Sequence, residues 1–173
     1  ELKKQGIKPK FDGVLDFGKF TLEELQSIKR LKLEYDSFKD ISILEHCSNL
    51  MELTIVSLNS KAASTNLSSE AYYSFISKRS QIKDFSVISK LKSLQFLTIS
   101  DDDNLTELDL SGLTNLSGLT LTGNHHLTSI KGLDSLEELC SLDMVNNNAL
   151  TTPFDLKKLM DSQLSDVKLD FDL

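Results

Sequence analysis

Cysteine is nearly absent from this chain: Cys47 and Cys140 are the two thiols in 173 residues. No cysteine set has the spacing of a metal site, and none could staple a small scaffold. Basic residues are also in deficit, 19 Lys and Arg against 26 Asp and Glu, for a net charge of −7 with no long basic stretch to offset it. Such a field repels phosphate, which argues against nucleic acid and anionic membrane as partners. No apolar run approaches the ~20 residues of a membrane-spanning helix, so no membrane insertion is expected. The sequence contains no GxGxxG, no phosphate loop and no GxSxG nucleophile elbow. It opens at Glu1 without a methionine or a signal-like apolar segment, from which we expect a processed or truncated chain.

What the sequence does contain is a repeated phrase, Leu-x-x-Leu-x-Leu. It begins at Ile28, Leu50, Leu94, Leu116, Leu139 and Leu164, in steps of 22, 44, 22, 23 and 25 residues. The long step is read as two periods of 22, with a degenerate unit at Tyr72-x-x-Phe75. A unit this small cannot bury its own apolar face, so it must stack on its neighbours. The 39% apolar content suffices for one core in one elongated domain. In such a stack Cys47 and Cys140 lie about four units apart, roughly 20 Å at the spacing of neighbouring strands. That exceeds the ~7 Å limit for a disulfide, so both are expected to be free.

The last two apolar residues of each phrase are two positions apart, as in a strand with one face buried. Leu97 and Ile99 should therefore point inward, with Thr98 outward. Before the next strand the apolar residues recur every third position, as in Ile82, Phe85, Ile88 and Leu91, the spacing of a 3₁₀-like or short helical return. Eight positions after each phrase begins lie Asp36, Leu58, Ser80, Asp102, Asn124, Asn147 and Asp172. Asn, Asp and Ser there can bond backbone groups that a tight corner would otherwise bury unpaired. Leu58 is the exception, and it lies in the irregular stretch from Ser57 to Ala71.

These phrases, together with returns such as KDIS-IL and KDFSVI and the stretch DNLTELDLSGLTNLSGLTLTGN, resemble leucine-rich repeats, and the 22-residue period is similar to bacterial internalin-like repeats. The resemblance covers about residues 28 to 173. It implies an α/β, right-handed leucine-rich-repeat solenoid, with parallel strands on the concave face and 3₁₀ or short helical returns on the convex face. About seven repeats are expected, the third degenerate with a loop near 57–71. Two departures stand out. Ser77 replaces the last apolar residue of the third unit, and in the fourth return Leu105 and Leu108 are displaced by one place, with Asn104 and Glu107 in the usual slots.

By the same resemblance the expected function is that of a protein-binding module of a bacterial surface or secreted protein, its partner a protein whose identity the sequence does not give, a host or surface protein being one candidate. The alternative is a recognition or spacer domain of a larger effector or enzyme whose catalytic part lies outside this chain, and cytoplasmic placement stays open. No catalytic residue, metal or cofactor is expected.

A solenoid end must be covered. Residues 1–27 read as an N-terminal capping segment, in which Thr21-Leu-Glu-Glu24 is a capping box and Leu22, Leu25 and Ile28 share one side of the helix it starts. Phe11, Val14, Leu15 and Phe17 would supply a partial strand before it. Thr152-Pro153 reads as a second helix start, with Leu156, Leu159 and Met160 inward. With no cap beyond Val167 to Leu169, more protein is expected to follow.

Three clusters could suggest chemistry. His125 and His126 are adjacent, point opposite ways in an extended chain, and cannot chelate one ion together. His46-Cys47 resembles a catalytic pair only in print, because Cys47 fills the core slot that Leu91 and Leu136 fill elsewhere. Asp101 to Asn104 lacks the glycine and distant glutamate of a calcium loop, and Asp102 already has a corner role.

Strand parity sets the partner face. Most outward positions are small and polar, but Val56, Ile76 and Phe96 are apolar and fall in three consecutive units. If the third unit keeps register they form a ridge flanked by Glu52 and Lys78, with Thr98 beside Phe96. Clustered exposed apolar residues of this kind are usual interface anchors.

Overall fold

A computed structural model describes residues 20–34, 39–57, 80–151 and 164–170. Eight strands are found there: β1 (Arg30–Glu34), β2 (Glu52–Val56), β3 (Phe96–Ser100), β4 (Glu107–Asp109), β5 (Gly118–Thr122), β6 (Ser129–Lys131), β7 (Ser141–Asp143) and β8 (Asp166–Lys168). Six of them form one parallel sheet in the order β1-β2-β3-β5-β7-β8. The chain is thus a parallel-strand solenoid, as the repeat requires.

The alternation within each phrase produces this sheet. Leu53, Leu97, Leu119 and Leu142 lie in one register row, and Ile55, Ile99 and Leu121 in the next. All are buried, while the residues between them face the other way. Leu94, Leu97, Ile99, Leu116, Leu119 and Leu121 are each at most 1% exposed, as parity predicts.

One expectation is corrected. β2 pairs directly with β3, Leu53 opposite Leu97 and Ile55 opposite Ile99. No strand from a third unit lies between them, so the 44-residue step is a single step of the sheet. Tyr72, Phe75, Ile76 and Lys78 fall outside the described residues, as do the segments holding Phe11 to Phe17 and Thr152 to Met160.

Across the core the chain returns in two ways. Ser42–His46 and Ser86–Lys90 form 3₁₀ turns, each entered through an Asp-x-Ser turn in which the aspartate accepts a backbone N–H, Ser42 to Asp40 at 2.7 Å and Ser86 to Asp84 at 2.8 Å. A third short 3₁₀ turn spans Leu133–Ser135. After β3 and β5, however, the return begins as a strand. β4 and β6 pair in parallel, Leu108 opposite Ile130. An all-3₁₀ return side is therefore corrected for these units. Leu105 and Leu108 are not displaced residues but the inward positions of an extended segment, equivalent to Leu127 and Ile130, and all four are buried.

At one end α1 (Leu22–Ser27) carries the capping box in full: the Thr21 hydroxyl accepts the Glu24 N–H, and the Glu24 carboxylate accepts the Thr21 N–H. Leu25 joins the core and Ile28 packs against it, whereas Leu22 is 56% exposed. A three-residue step turns the side chain about 60° around the helix, which sets Leu22 off the side that Leu25 buries, and Ile28 is the extended C-cap rather than a helical residue. At the other end Val167 holds the inward register of Leu142 yet is 40% exposed, because among the described residues its strand has a neighbour on one side.

Candidate functional site

The open face of the six-stranded sheet is the candidate site, and strand register lays it out as rows. The first runs Arg30, Glu52, Phe96, Gly118, Ser141 and Asp166; the second runs Lys32, Thr54, Thr98, Thr120, Asp143 and Lys168. Charges cluster toward the ends of the rows and pair across strands. Arg30 Nε lies 3.2 Å from Glu52 Oε2, and Lys168 Nζ 3.9 Å from Asp143 Oδ2. Between them lies a neutral field of hydroxyls, Thr54, Thr98, Ser100, Thr120 and Thr122, all half-buried.

Phe96 stands out in this field at 49% exposure. Its ring lies across Gly118: a Cβ placed on Gly118 would come within 2.7 Å of Phe96 Cδ1. Gly118 consequently is buried despite its outward position. A glycine on the next strand lets the ring lie down on the sheet, covering backbone with one face and leaving the other to solvent. Among the described residues this is the one exposed aromatic on the open face. An aromatic face ringed by hydroxyls and flanked by ion pairs can bury apolar area against a partner while supplying hydrogen bonds around its rim.

The residues proposed from sequence are only partly brought together. Phe96 and Glu52 are register neighbours, and Thr98 sits one row along. Val56 does not meet Phe96. It pairs with Glu34 and Ser100, four residues along the strand direction, about 13 Å at 3.3 Å per residue. Ile76 and Lys78 lie outside the described residues. The three-unit ridge is corrected to a single aromatic anchor, because the ridge required a strand between β2 and β3. Parity reasoning missed Gly118, although a glycine at an outward strand position is itself a signal of close approach.

Beside the N-terminal ends of β3 and β5 opens a groove of about 610 Å³ lined by Gln95, Thr114, Asn115, Ser117, Ser135, Glu137 and Glu138. Its lining residues are all polar or charged, unlike the predominantly apolar lining of a small-molecule site. No three His, Cys, Asp or Glu side chains gather to hold a metal ion among the described residues. His125 and His126 sit on a turn with His126 exposed, and Cys47 is buried in its return slot, where burial pushes its thiol pKa up. Both cysteines are free. Cys140 donates its S–H to the Ser117 carbonyl at 3.2 Å, as Ser117 and Ser165 do with their hydroxyls one unit before and after.

The corner residues form a second column. Asn124 Oδ1 accepts the Asp102 N–H at 3.0 Å and Asn147 Oδ1 the Asn124 N–H at 3.2 Å, while the Nδ2 groups donate to the carbonyls of Ile99 and Leu121. Asp102, Asn124 and Asn147 are buried, so the column supplies partners to backbone that water does not reach. Burial raises the Asp102 pKa, opposed by hydrogen bonds from Ser80, Asn104, Ser57 and Leu105.

No protein-family model matches the chain, and no curated protein matches it. Among the described residues no helix is long and apolar enough to cross a membrane.

Proposed function

We propose that this chain is a protein-binding leucine-rich-repeat module of a bacterial surface or secreted protein, coiled right-handed, whose partner docks on the open sheet face at Phe96. The observation that carries this reading is the half-exposed Phe96 ring, held flat over Gly118 in a field of hydroxyls. A ring held this way gives up little conformational freedom on binding, the property that makes aromatic anchors effective. The leucine phrase and the Asx column, repeated unit by unit, support the family reading. The acidic net charge directs the partner choice toward protein rather than nucleic acid. In this reading the module itself is not catalytic and uses no cofactor.

The test is comparative capture on immobilised protein from host-surface extracts, using wild type, Phe96→Ala and Lys90→Ala. Lys90 lies on the return side, where it pairs with Glu45. A partner retained by wild type and Lys90→Ala but lost from Phe96→Ala supports the reading. Equal retention by all three contradicts it.

A further inference from the structure

Asp102 is the one wholly buried carboxylate among the described residues, and the corner column changes character there. At Asn124 and Asn147 the carboxamide accepts an N–H of the preceding corner and donates to a strand carbonyl of the preceding unit. By register the carbonyl equivalent for Asp102 is that of Ile55, since Ile55, Ile99 and Leu121 share a row. An ionised carboxylate has no hydrogen to donate. Asp102 accepts instead the Asn104 N–H at 2.8 Å and the Ser57 hydroxyl at 3.3 Å, and the nearby Ser80 hydroxyl and Leu105 N–H also favour its charged form.

Two of these groups flank residues 58–79, Ser57 on one side and Ser80 on the other. Backbone contacts reinforce the convergence. The Ser57 N–H donates to the Ser100 carbonyl at 3.0 Å, and Asn104 Nδ2 to the Ser80 carbonyl at 2.6 Å. The points where the chain leaves the sheet after β2 and rejoins the column before β3 thus meet at one buried carboxyl.

We propose that Asp102 is a proton-dependent fastener joining the departure and the return of segment 58–79, a join that strengthens when the carboxyl is neutral. Its ionised form satisfies its donors but sits in the core with no cation to offset it among the described residues, and a neutral form would carry the donor that the column's other members use. The direction follows from the burial-raised pKa. A carboxyl whose folded pKa lies above its unfolded one contributes stability that is full below the unfolded pKa and is lost as pH rises through the folded pKa. Among the described residues, the ionisable groups on the surrounding elements are Asp101 and Asp103 on its own corner, His125 on the next, Lys83 and Asp84 beyond Ser80, and Glu107 beyond Leu105; Lys78 and Arg79 before Ser80 lie outside them. They are common to wild type and variant, and cancel in a difference.

The experiment is urea unfolding of wild type and Asp102→Asn from pH 4 to pH 8, with hydrogen exchange at pH 7 at the Ser57 amide and at the Ile82 amide, which donates to the Ser80 hydroxyl at 3.3 Å. Asp102→Asn is expected to gain midpoint relative to wild type as pH rises, and to slow exchange at both amides by about tenfold, the equivalent of one added buried hydrogen bond. A midpoint difference constant across the pH range, or faster exchange in Asp102→Asn, overturns the proposal. Should that variant not fold, Ser57→Ala serves in its place. It removes a donor to the ionised form and should move the wild-type pH transition upward, and an unmoved transition overturns the proposal equally.

Discussion

Replacing Asn124 by alanine tests the physics of the corner column. The truncation leaves the Asp102 N–H without its acceptor and removes the donor to the Ile99 carbonyl, both at buried sites. An orphaned buried group costs about 1–3 kcal/mol, so two of them give roughly 2–6 kcal/mol. That is a large share of the ~5–15 kcal/mol that holds a domain together. Asn115→Ala is the internal control. Asn115 Nδ2 also bonds a carbonyl of the preceding unit, that of Lys92 at 2.8 Å, but at an exposed position where water replaces the lost partner. Its removal should cost under about 1 kcal/mol. Urea denaturation followed by circular dichroism at pH 7 measures both variants, with an unchanged slope expected for each. Equal losses for the two asparagines, or a loss at Asn124 below about 0.5 kcal/mol, would refute the claim that burial of the corners is what makes Asn necessary there.

Further outcomes follow from the same geometry. Leu119→Ala, at a site 1% exposed with Leu97 and Leu142 on either side, should lower stability by about 2–5 kcal/mol in the same assay. Phe96→Ala should cost under about 1 kcal/mol of stability, against about 3–5 for a core phenylalanine, while weakening partner binding by more than ~1 kcal/mol. Gly118→Ala should push the Phe96 ring off the sheet, which aromatic chemical shifts will report, and should weaken the same binding. Asp40, Asp84 and Asp109 are held below their ordinary pKa chiefly by hydrogen bonds from Ser42, Ser86 and Ser111. Their contribution to stability is present above the unfolded carboxylate range and is lost as pH falls through the lowered values, so NMR titration of these three should show midpoints below that range.

Much of the fold was legible in the leucines. A strand with one buried face writes its parity into the sequence, so the inward rows from Leu53 to Leu142 could be read directly, as could the capping box, whose bonds are local. The 44-residue step could not be read correctly, because an excursion as long as two periods imitates an additional unit. Periodicity counts residues and is blind to which strands pair. The same blindness hid β4 and β6: Leu105 and Leu108 are spaced by three, which suits a 3₁₀ turn, and only their pairing with the following unit selects the extended form. At the site, the exposure of Phe96 was legible from parity. Its partner Gly118 was not, since the ring's direction along the sheet depends on which strand is the neighbour.

The direct pairing of β2 with β3 is the claim on which both the correction of the ridge to a single anchor and the fastener depend. Isotope-edited NOE spectroscopy on the intact chain measures it. Backbone contacts between Leu53 and Leu97 and between Ile55 and Ile99 are expected, since neighbouring strands lie about 4.8 Å apart and these residues share register. Contacts from both strands to residues 74–78 instead, with β2 and β3 separated by about twice that spacing, would place a third unit between them and contradict the account.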